Sequence, residues 1–198
     1  MSLLPDFELG IWNAWIFMLY VISYNVLPYV LSLTRLIDKD AFKKGSGADM
    51  PRNKSNKKLS ISITFVFFVP IIYTIFLPLK LDTVWFNVGL LIYLLGVIIG
   101  TIAIFNFFTT SVDKLVTKGA YRISRNPMYL SMFLIFIGTG IACVSWVFLL
   151  FTIVFIILSY ILVVSEESFC LQKYGNAYRE YINRTPRWIG IPKSEKKR

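Results

Sequence analysis

The longest apolar run in the sequence extends from residue 128 to residue 165. A membrane crossing takes about 20 helical residues, so this run is too long for one span. Gly138, Gly140 and the CVSW stretch at 143–146 lie near its middle and predict a tight helical hairpin. Three earlier apolar segments are almost free of charge: 9–33, 60–79 and 85–108. The pattern predicts an all-α integral membrane protein with about five transmembrane helices.

The composition excludes an ordinary soluble domain. Hydrophobic residues make up 56% of the 198-residue chain and charged residues only 16%, whereas soluble domains are about 25% charged. A soluble helical protein with these runs would expose a large apolar surface. The first apolar segment has no basic region before it and no small-residue cleavage site, so we expect it to be a span rather than a signal peptide.

The basic residues predict the orientation in the membrane. Eight Lys and Arg lie between the first two spans, four lie in 109–127 and eight lie from Glu166 onward, whereas Lys80 is the only other one. By the positive-inside rule these segments are cytoplasmic, with the N-terminus outside and the C-terminus inside. The net charge of +10 then matches anionic lipids better than nucleic acid. The cell membrane and the endoplasmic reticulum are both compatible with this pattern.

Two residue types limit the chemistry. The chain has no histidine and only two cysteines, Cys143 and Cys170. Histidine-based triads and histidine metal ligands are therefore excluded, and two thiols are too few for a thiolate metal site. The predicted topology places the two cysteines at opposite membrane faces, so we expect no disulfide between them and no bound metal.

The decapeptide YRISRNPMYL, residues 121–130, interrupts this apolar background. Pro127 disfavours helix at Asn126 and is suited to the first turn of the next helix. Free backbone N–H groups at that helix start can bind an anion such as a carboxylate, and Arg122 and Arg125 add positive charge. Arginines that only reach toward lipid headgroups are the alternative interpretation.

Two adjacent carboxylates, Glu166 and Glu167, follow the last apolar run. They are either solvated charges at a helix end or, beside the cationic loop, a site for a cationic ligand. Both signs of charge together would suit a zwitterionic cofactor. Downstream, one cysteine and three tyrosines recur at helical spacing: Cys170, Tyr174, Tyr178 and Tyr181. This pattern predicts a cytosolic interfacial helix.

The spaced motifs KLVTKGAYRISRNPMY and EESFCLQKYGNAYREYINRTPRW resemble the isoprenylcysteine carboxyl methyltransferase and phospholipid methyltransferase superfamily. The signature of that superfamily is Arg-His-Pro-x-Tyr, followed across a helical hairpin by Glu-Glu and then by Tyr/Phe-Gly-x-x-Tyr. The resemblance covers about 106–188, within a predicted methyltransferase core of 60–198. Residues 1–59 then form a first transmembrane helix and a basic cytosolic linker.

The resemblance implies a methyltransferase that binds S-adenosylmethionine at the cytosolic face and methylates a lipid or other hydrophobic acceptor entering from the bilayer. The residues that it implies for the cofactor are Asn106, Lys114, Leu115, Val116, Tyr121, Asn126, Pro127, Met128, Tyr129 and Glu166. The candidate catalytic residues are Arg125, Asn126, Tyr129 and Glu167. Membrane lipids are the expected partners.

Two positions depart from the superfamily pattern. Asn126 stands where the signature has histidine, and its amide can form hydrogen bonds but cannot titrate. Leu162 stands where the isoprenylcysteine enzymes have a substrate-contacting arginine, so a prenylated-cysteine carboxylate loses its expected partner. An NADPH-dependent membrane reductase of the sterol-reductase type and a non-enzymatic membrane protein with a decayed site are the alternative functions.

Overall fold

The computed structural model describes residues 10–33, 54–111 and 113–190. Within these ranges the fold is all-helical, with no β-strand and two short 3-10 turns, Thr74–Phe76 and Gly119–Arg122. The α-helices are α1 (Trp15–Leu33), α2 (Lys54–Tyr73), α3 (Val84–Phe108), α4 (Pro127–Ala142), α5 (Trp146–Tyr174) and α6 (Asn176–Arg184). Most of the basic linker and the last eight residues lie outside the described ranges.

The predicted hairpin is present as α4 and α5, and local capping explains its boundaries. Pro127 occupies the first turn of α4, directly after the non-helical Asn126. Ser145 caps α5, because its Oγ accepts a hydrogen bond from the backbone N–H of Phe148 at 3.2 Å. Thr83 caps α3 in the same way, through the N–H of Phe86 at 3.1 Å.

Two helices, Val84–Phe108 and Trp146–Tyr174, are long and apolar enough to cross a membrane. Only 28% of the apolar window of each is buried, so their surfaces differ from those of the core helices of a soluble protein. Three shorter apolar helical segments accompany them: Trp15–Val26, Ile61–Phe76 and Pro127–Ala142. The architecture is that of a membrane protein, whereas the prediction of five spans stays a prediction.

The closest helix contact in the fold joins α3 to α4 through glycines. A Cβ atom added to Gly89 would lie 2.4 Å from the backbone nitrogen of Ala142 and 2.5 Å from the carbonyl oxygen of Gly138. Gly96, two turns later, faces Ser131 and Ile135, and a Cβ atom added there would lie 2.9 Å from the carbonyl oxygen of Ser131. Small residues on this face therefore let two apolar helices approach to backbone contact, as is typical of membrane helix pairs.

Backbone hydrogen bonds fasten the bundle at the end where α1 begins and α4 ends. The N–H of Ala14 donates to the carbonyl of Leu77 at 2.9 Å, and the N–H of Lys80 donates to that of Ala142 at 3.3 Å. The start of α1, the segment after α2 and the end of α4 are thus joined through main-chain atoms. The opposite end contains the loop before α4 and the second half of α5.

The predicted interfacial helix differs from the observed structure in its continuity. The aromatic stripe that begins at Cys170 is interrupted at Gly175, which separates the last turn of α5 from α6. Tyr178 and Tyr181 of α6 are buried, whereas the charged side chains of the same helix, Arg179, Glu180 and Arg184, are exposed. The helix α6 is amphipathic and packs its aromatic face onto the protein, whereas its location at the membrane interface stays a prediction.

Candidate active site

A cavity of about 740 Å³ lies at the end of the bundle where α4 begins. All six helices and the loop before α4 contribute to its lining. Its volume is within the range of about 300–1,000 Å³ that is usual for small-molecule pockets. One wall, from the loop, α5 and α6, carries the polar groups, and the other wall, from α1, α2 and α3, is mainly apolar.

Most of the site residues implied by the sequence meet at this cavity. Those that line it are Leu115, Val116, Tyr121, Arg125, Asn126, Pro127, Met128, Tyr129, Glu166 and Glu167. They come from two segments, the loop with the start of α4 (115–129) and the glutamate pair (166–167), which are more than 30 residues apart in the chain. The chain therefore brings both motifs to one enclosed place, although their individual roles stay predictions.

Asn106 and Lys114, the remaining candidates for the cofactor, do not line the cavity. Asn106 packs instead against Gly119, where a Cβ atom would lie only 2.0 Å from Nδ2 of Asn106. Gly119 also has a φ of 57°, so that only glycine suits this turn sterically and conformationally. Lys114 lies in the loop after α3 with its side chain exposed.

Glu167 is held by two arginines. Its Oε2 accepts hydrogen bonds from Arg187 Nη2 at 2.8 Å and Nε at 3.1 Å, and its Oε1 lies 3.3 Å from Arg125 Nε. The side chains of Glu167 and Arg125 are each only 8% exposed. The hydrogen bond to Glu167 is the main cause that raises the pKa of Arg187. The three-residue cluster carries one net positive charge.

Glu166 has different surroundings from its neighbour. Its Oε1 accepts a hydrogen bond from Tyr129 Oη at 2.8 Å. Among the described residues no lysine or arginine lies within ion-pair distance of Glu166. Glu166 is thus the carboxylate of the cavity wall that has no cation of its own, and the net positive cluster around Glu167 lies beside it.

Arg125 carries unsatisfied hydrogen-bonding capacity. Its Nε and Nη1 are shielded from solvent and have no hydrogen-bond partner among the described residues, since the approach of Nε to Glu167 is not aligned for a hydrogen bond. An unmade hydrogen bond of a buried group costs about 1–3 kcal/mol. Such groups are frequent at sites that bind a ligand or perform catalysis.

Residues 185–190, which we call the C-terminal strap, cross the loop before α4. The backbone N–H of Arg125 donates to the carbonyl oxygen of Pro186 at 2.9 Å, and Ser124 Oγ donates to that of Arg187 at 3.1 Å. The ring of Trp188 lies 5.2 Å from that of Phe133 on α4. Backbone, hydroxyl and aromatic contacts therefore fix this segment against the polar wall.

The phenols of α6 stay protonated at neutral pH. Burial raises the pKa values of Tyr178 and Tyr181 above the usual 10. Tyr181 Oη donates to the backbone carbonyl of Tyr121 at 2.6 Å and so ties α6 to the turn before the loop. Burial also raises the pKa of Tyr121, helped by the nearby phenols of Tyr24 and Tyr181 and by Glu166.

Sequence analysis missed Arg187, which holds Glu167, and two of the residues that line the cavity. Arg187 lay within a quoted motif, but nothing in its spacing indicated a partner 20 residues earlier. Tyr24 and Phe67, from α1 and α2, also line the cavity, although those helices contain no recognisable motif. The available signal was the polar pair Tyr24–Asn25 within the mainly apolar first span.

The comparisons with known proteins support the resemblance seen in the motifs. A search of curated proteins finds no match to this chain. The model of the phospholipid methyltransferase family (PEMT) matches residues 84–177. This match covers α3, the loop, the hairpin and the first two residues of α6. It indicates a membrane methyltransferase, and residues 84–177, which contain most of the polar wall of the cavity, are similar to the phospholipid methyltransferase family.

Proposed function

We propose that this protein transfers a methyl group from S-adenosylmethionine to a lipid or other hydrophobic small molecule at the cytosolic face of a membrane. One observation carries the proposal: a single cavity combines the carboxylate of Glu166, which has no ion-pair partner among the described residues, with an apolar wall from α1 and α2. The family match supplies the reaction class. The donor, the acceptor and the membrane face are our inferences.

The residues present fit S-adenosylmethionine. Its methionyl end carries a carboxylate, an ammonium group and a sulfonium, and the polar wall offers one negative group, Glu166, beside the net positive Arg125–Glu167–Arg187 cluster. Aromatic and apolar side chains of the lining, such as the buried Tyr121 and Val116 and the partly buried Met128, would hold the adenosine end. The fit thus rests on complementary charge and on the chemistry of the lining.

When bound, S-adenosylmethionine supplies an electrophilic methyl group on a positively charged sulfur. The chain itself must orient the acceptor, exclude water and avoid overstabilising that positive charge. Glu166 provides one carboxylate for the sulfonium and ammonium groups of the donor. The hydrogen bond that it accepts from Tyr129 moderates its negative charge. Glu167, already paired with two arginines, is better suited to holding the loop in place than to contacting the donor.

The apolar wall indicates where the acceptor binds. Ile63, Phe67 and Phe68 of α2 line the cavity, and Phe68 is also 54% exposed on the outer surface of the bundle. An acceptor with a hydrocarbon part can therefore approach from the bilayer beside α2. Leu162 lines the same cavity and offers no charge to a carboxylate acceptor, which disfavours a prenylated cysteine.

The charge pattern supports five spans, with the cavity at the cytosolic end. The loop before α4 and the C-terminal strap carry Lys118, Arg122, Arg125 and Arg187, and all lie at the cavity end of the bundle. The opposite end, near Leu77 and Ala142, contains Lys80. Under the positive-inside rule the cavity then opens toward the cytosol, where S-adenosylmethionine is available.

Calorimetric titration of the detergent-purified protein tests this function. We expect S-adenosylmethionine and S-adenosylhomocysteine to bind with micromolar affinity and NADPH not to bind. Glu166→Gln, which removes the charge but keeps the shape, should weaken the binding of S-adenosylmethionine at least tenfold. Glu180→Gln is the matched control, because Glu180 is exposed on α6 outside the cavity. Binding of NADPH alone, or of none of the three compounds, would contradict the proposal.

A further inference from the structure

The amide of Asn126 is held in one orientation at the cavity wall. Its Nδ2 donates to Glu167 Oε1 at 3.0 Å and, more weakly, to the backbone oxygen of Arg187 at 3.4 Å. Its Oδ1 remains accessible and has no hydrogen-bond partner among the described residues. Because Asn126 lines the cavity, Oδ1 is the atom that this side chain can still offer to a ligand.

The hydrogen-bonding character of Glu167 and of the Arg187 carbonyl determines whether Nδ2 or Oδ1 of Asn126 lies against them. The carboxylate of Glu167 and the carbonyl of Arg187 are both acceptors, so only the NH₂ group can lie against them. Rotating the amide by 180° would place Oδ1 beside a carboxylate and a carbonyl oxygen and would leave Nδ2 without these partners. Asn126 therefore presents an acceptor and not a donor.

Arg187 controls both of the acceptors that orient Asn126. Its guanidinium holds Glu167 through Nε and Nη2, and its Nη1 donates to Tyr160 Oη at 3.2 Å. Its own backbone oxygen receives the second N–H of Asn126. A change at Arg187 would thus reach the cavity through Glu167 and Asn126.

We propose that Oδ1 of Asn126 is a fixed hydrogen-bond acceptor for an N–H or O–H donor of the S-adenosyl cofactor, and that Arg187 is the positioning residue that keeps it facing the ligand. This inference rests on the proposed function. It explains how the site works with asparagine where the resembled signature has histidine: the network supplies the orientation, and the acceptor does not titrate.

A double-mutant cycle with S-adenosylhomocysteine as the calorimetric probe tests the proposal. The Asn126→Ala variant should bind about fivefold more weakly, because it loses one hydrogen bond, and this corresponds to about 1 kcal/mol. Arg187→Gln should weaken binding severalfold in the wild-type background but less than twofold in the Asn126→Ala background. Arg187→Lys, which keeps the charge, should recover part of the loss.

Each outcome of this cycle distinguishes between the two proposals. Equal losses from Arg187→Gln in both backgrounds would assign Arg187 a merely structural role, and unchanged binding by Asn126→Ala would remove Oδ1 from the site; either result overturns this inference alone. Thermal unfolding of every variant identifies those that are folded, and Arg187→Lys replaces Arg187→Gln in the cycle if the latter does not fold. Failure of the wild-type protein to bind S-adenosylhomocysteine would overturn the proposed function and this inference with it.

Discussion

Glu166 and Glu167 are adjacent in the chain, yet Glu167 forms ion pairs with Arg125 and Arg187 while Glu166 receives only the hydroxyl of Tyr129. The helical geometry of α5 turns consecutive side chains by about 100°, so the two carboxylates meet different neighbours. One of them is used to hold three segments together. The other has no ion-pair partner among the described residues.

This difference predicts that the same substitution, Glu to Gln, changes the stability of the protein at one of these positions but not at the other. Glu167→Gln leaves Arg125 and Arg187 without their carboxylate, and breaking a buried ion pair from one side costs about 3–5 kcal/mol. Glu166→Gln removes no ion pair and should leave the unfolding temperature almost unchanged. Thermal unfolding in detergent checks both. An equal loss of stability in the two variants would show that Glu166 also holds the fold together.

Gly89→Ala should destabilise the contact between α3 and α4. The new Cβ atom would lie 2.4–2.7 Å from backbone atoms of Gly138 and Ala142, which cannot rotate away as a side chain can. Overpacking of this kind costs about 1–3 kcal/mol. The control is Val88→Leu, which adds volume on the exposed side of the same helix. If both variants unfold at the wild-type temperature, the helices can separate without cost.

Tyr24→Phe should stabilise the protein or leave its stability unchanged when no ligand is present. The hydroxyl of Tyr24 is buried and has no hydrogen-bond partner in the part of the chain that the structure describes, and removing such a group relieves a desolvation penalty of about 1–3 kcal/mol. Tyr20→Phe is the comparison from one turn earlier, because Tyr20 Oη is 3.1 Å from both the Val97 carbonyl and Thr101 Oγ1. That variant should unfold at a lower temperature. The reverse order of the two unfolding temperatures would contradict this account.

Tyr181→Phe should loosen the turn that precedes the active-site loop. The variant leaves the carbonyl oxygen of Tyr121 without the 2.6 Å hydrogen bond from Tyr181 Oη, at a cost of about 1–3 kcal/mol. Amide hydrogen exchange in Gly119–Arg122 should accelerate accordingly. Tyr178→Phe provides the control, since Tyr178 is also buried on α6 but its hydroxyl bonds to no described residue. Faster exchange in both variants alike would indicate a general loosening of α6.

Local sequence patterns predicted several elements around the cavity. Pro127 marked the start of α4, the glycines and the CVSW stretch marked the hairpin, and the residues predicted from the two motifs account for 10 of the 28 described residues that line the cavity. These features depend on nearest neighbours along the chain, which a single sequence displays directly. The family match to residues 84–177 agrees with them.

Long-range partners were beyond such patterns. Arg187 and Glu167 are 20 residues apart, and their contact depends on the break at Gly175 and on the path of the C-terminal strap. Tyr24 reaches the cavity only because α1 packs beside α2 and α3. Apolar periodicity in a membrane helix says little about which face meets protein and which meets lipid.

The main-chain hydrogen bonds between Ala14 and Leu77 and between Lys80 and Ala142 hold one end of the bundle together, because displacing the helices there would break them. The cavity lies about ten residues, or 15 Å, further along α1, at Tyr24. A small change in helix tilt about the bonded end therefore displaces the helices most at the cavity. A bulky ligand could enter and leave by such tilting, without unfolding any helix.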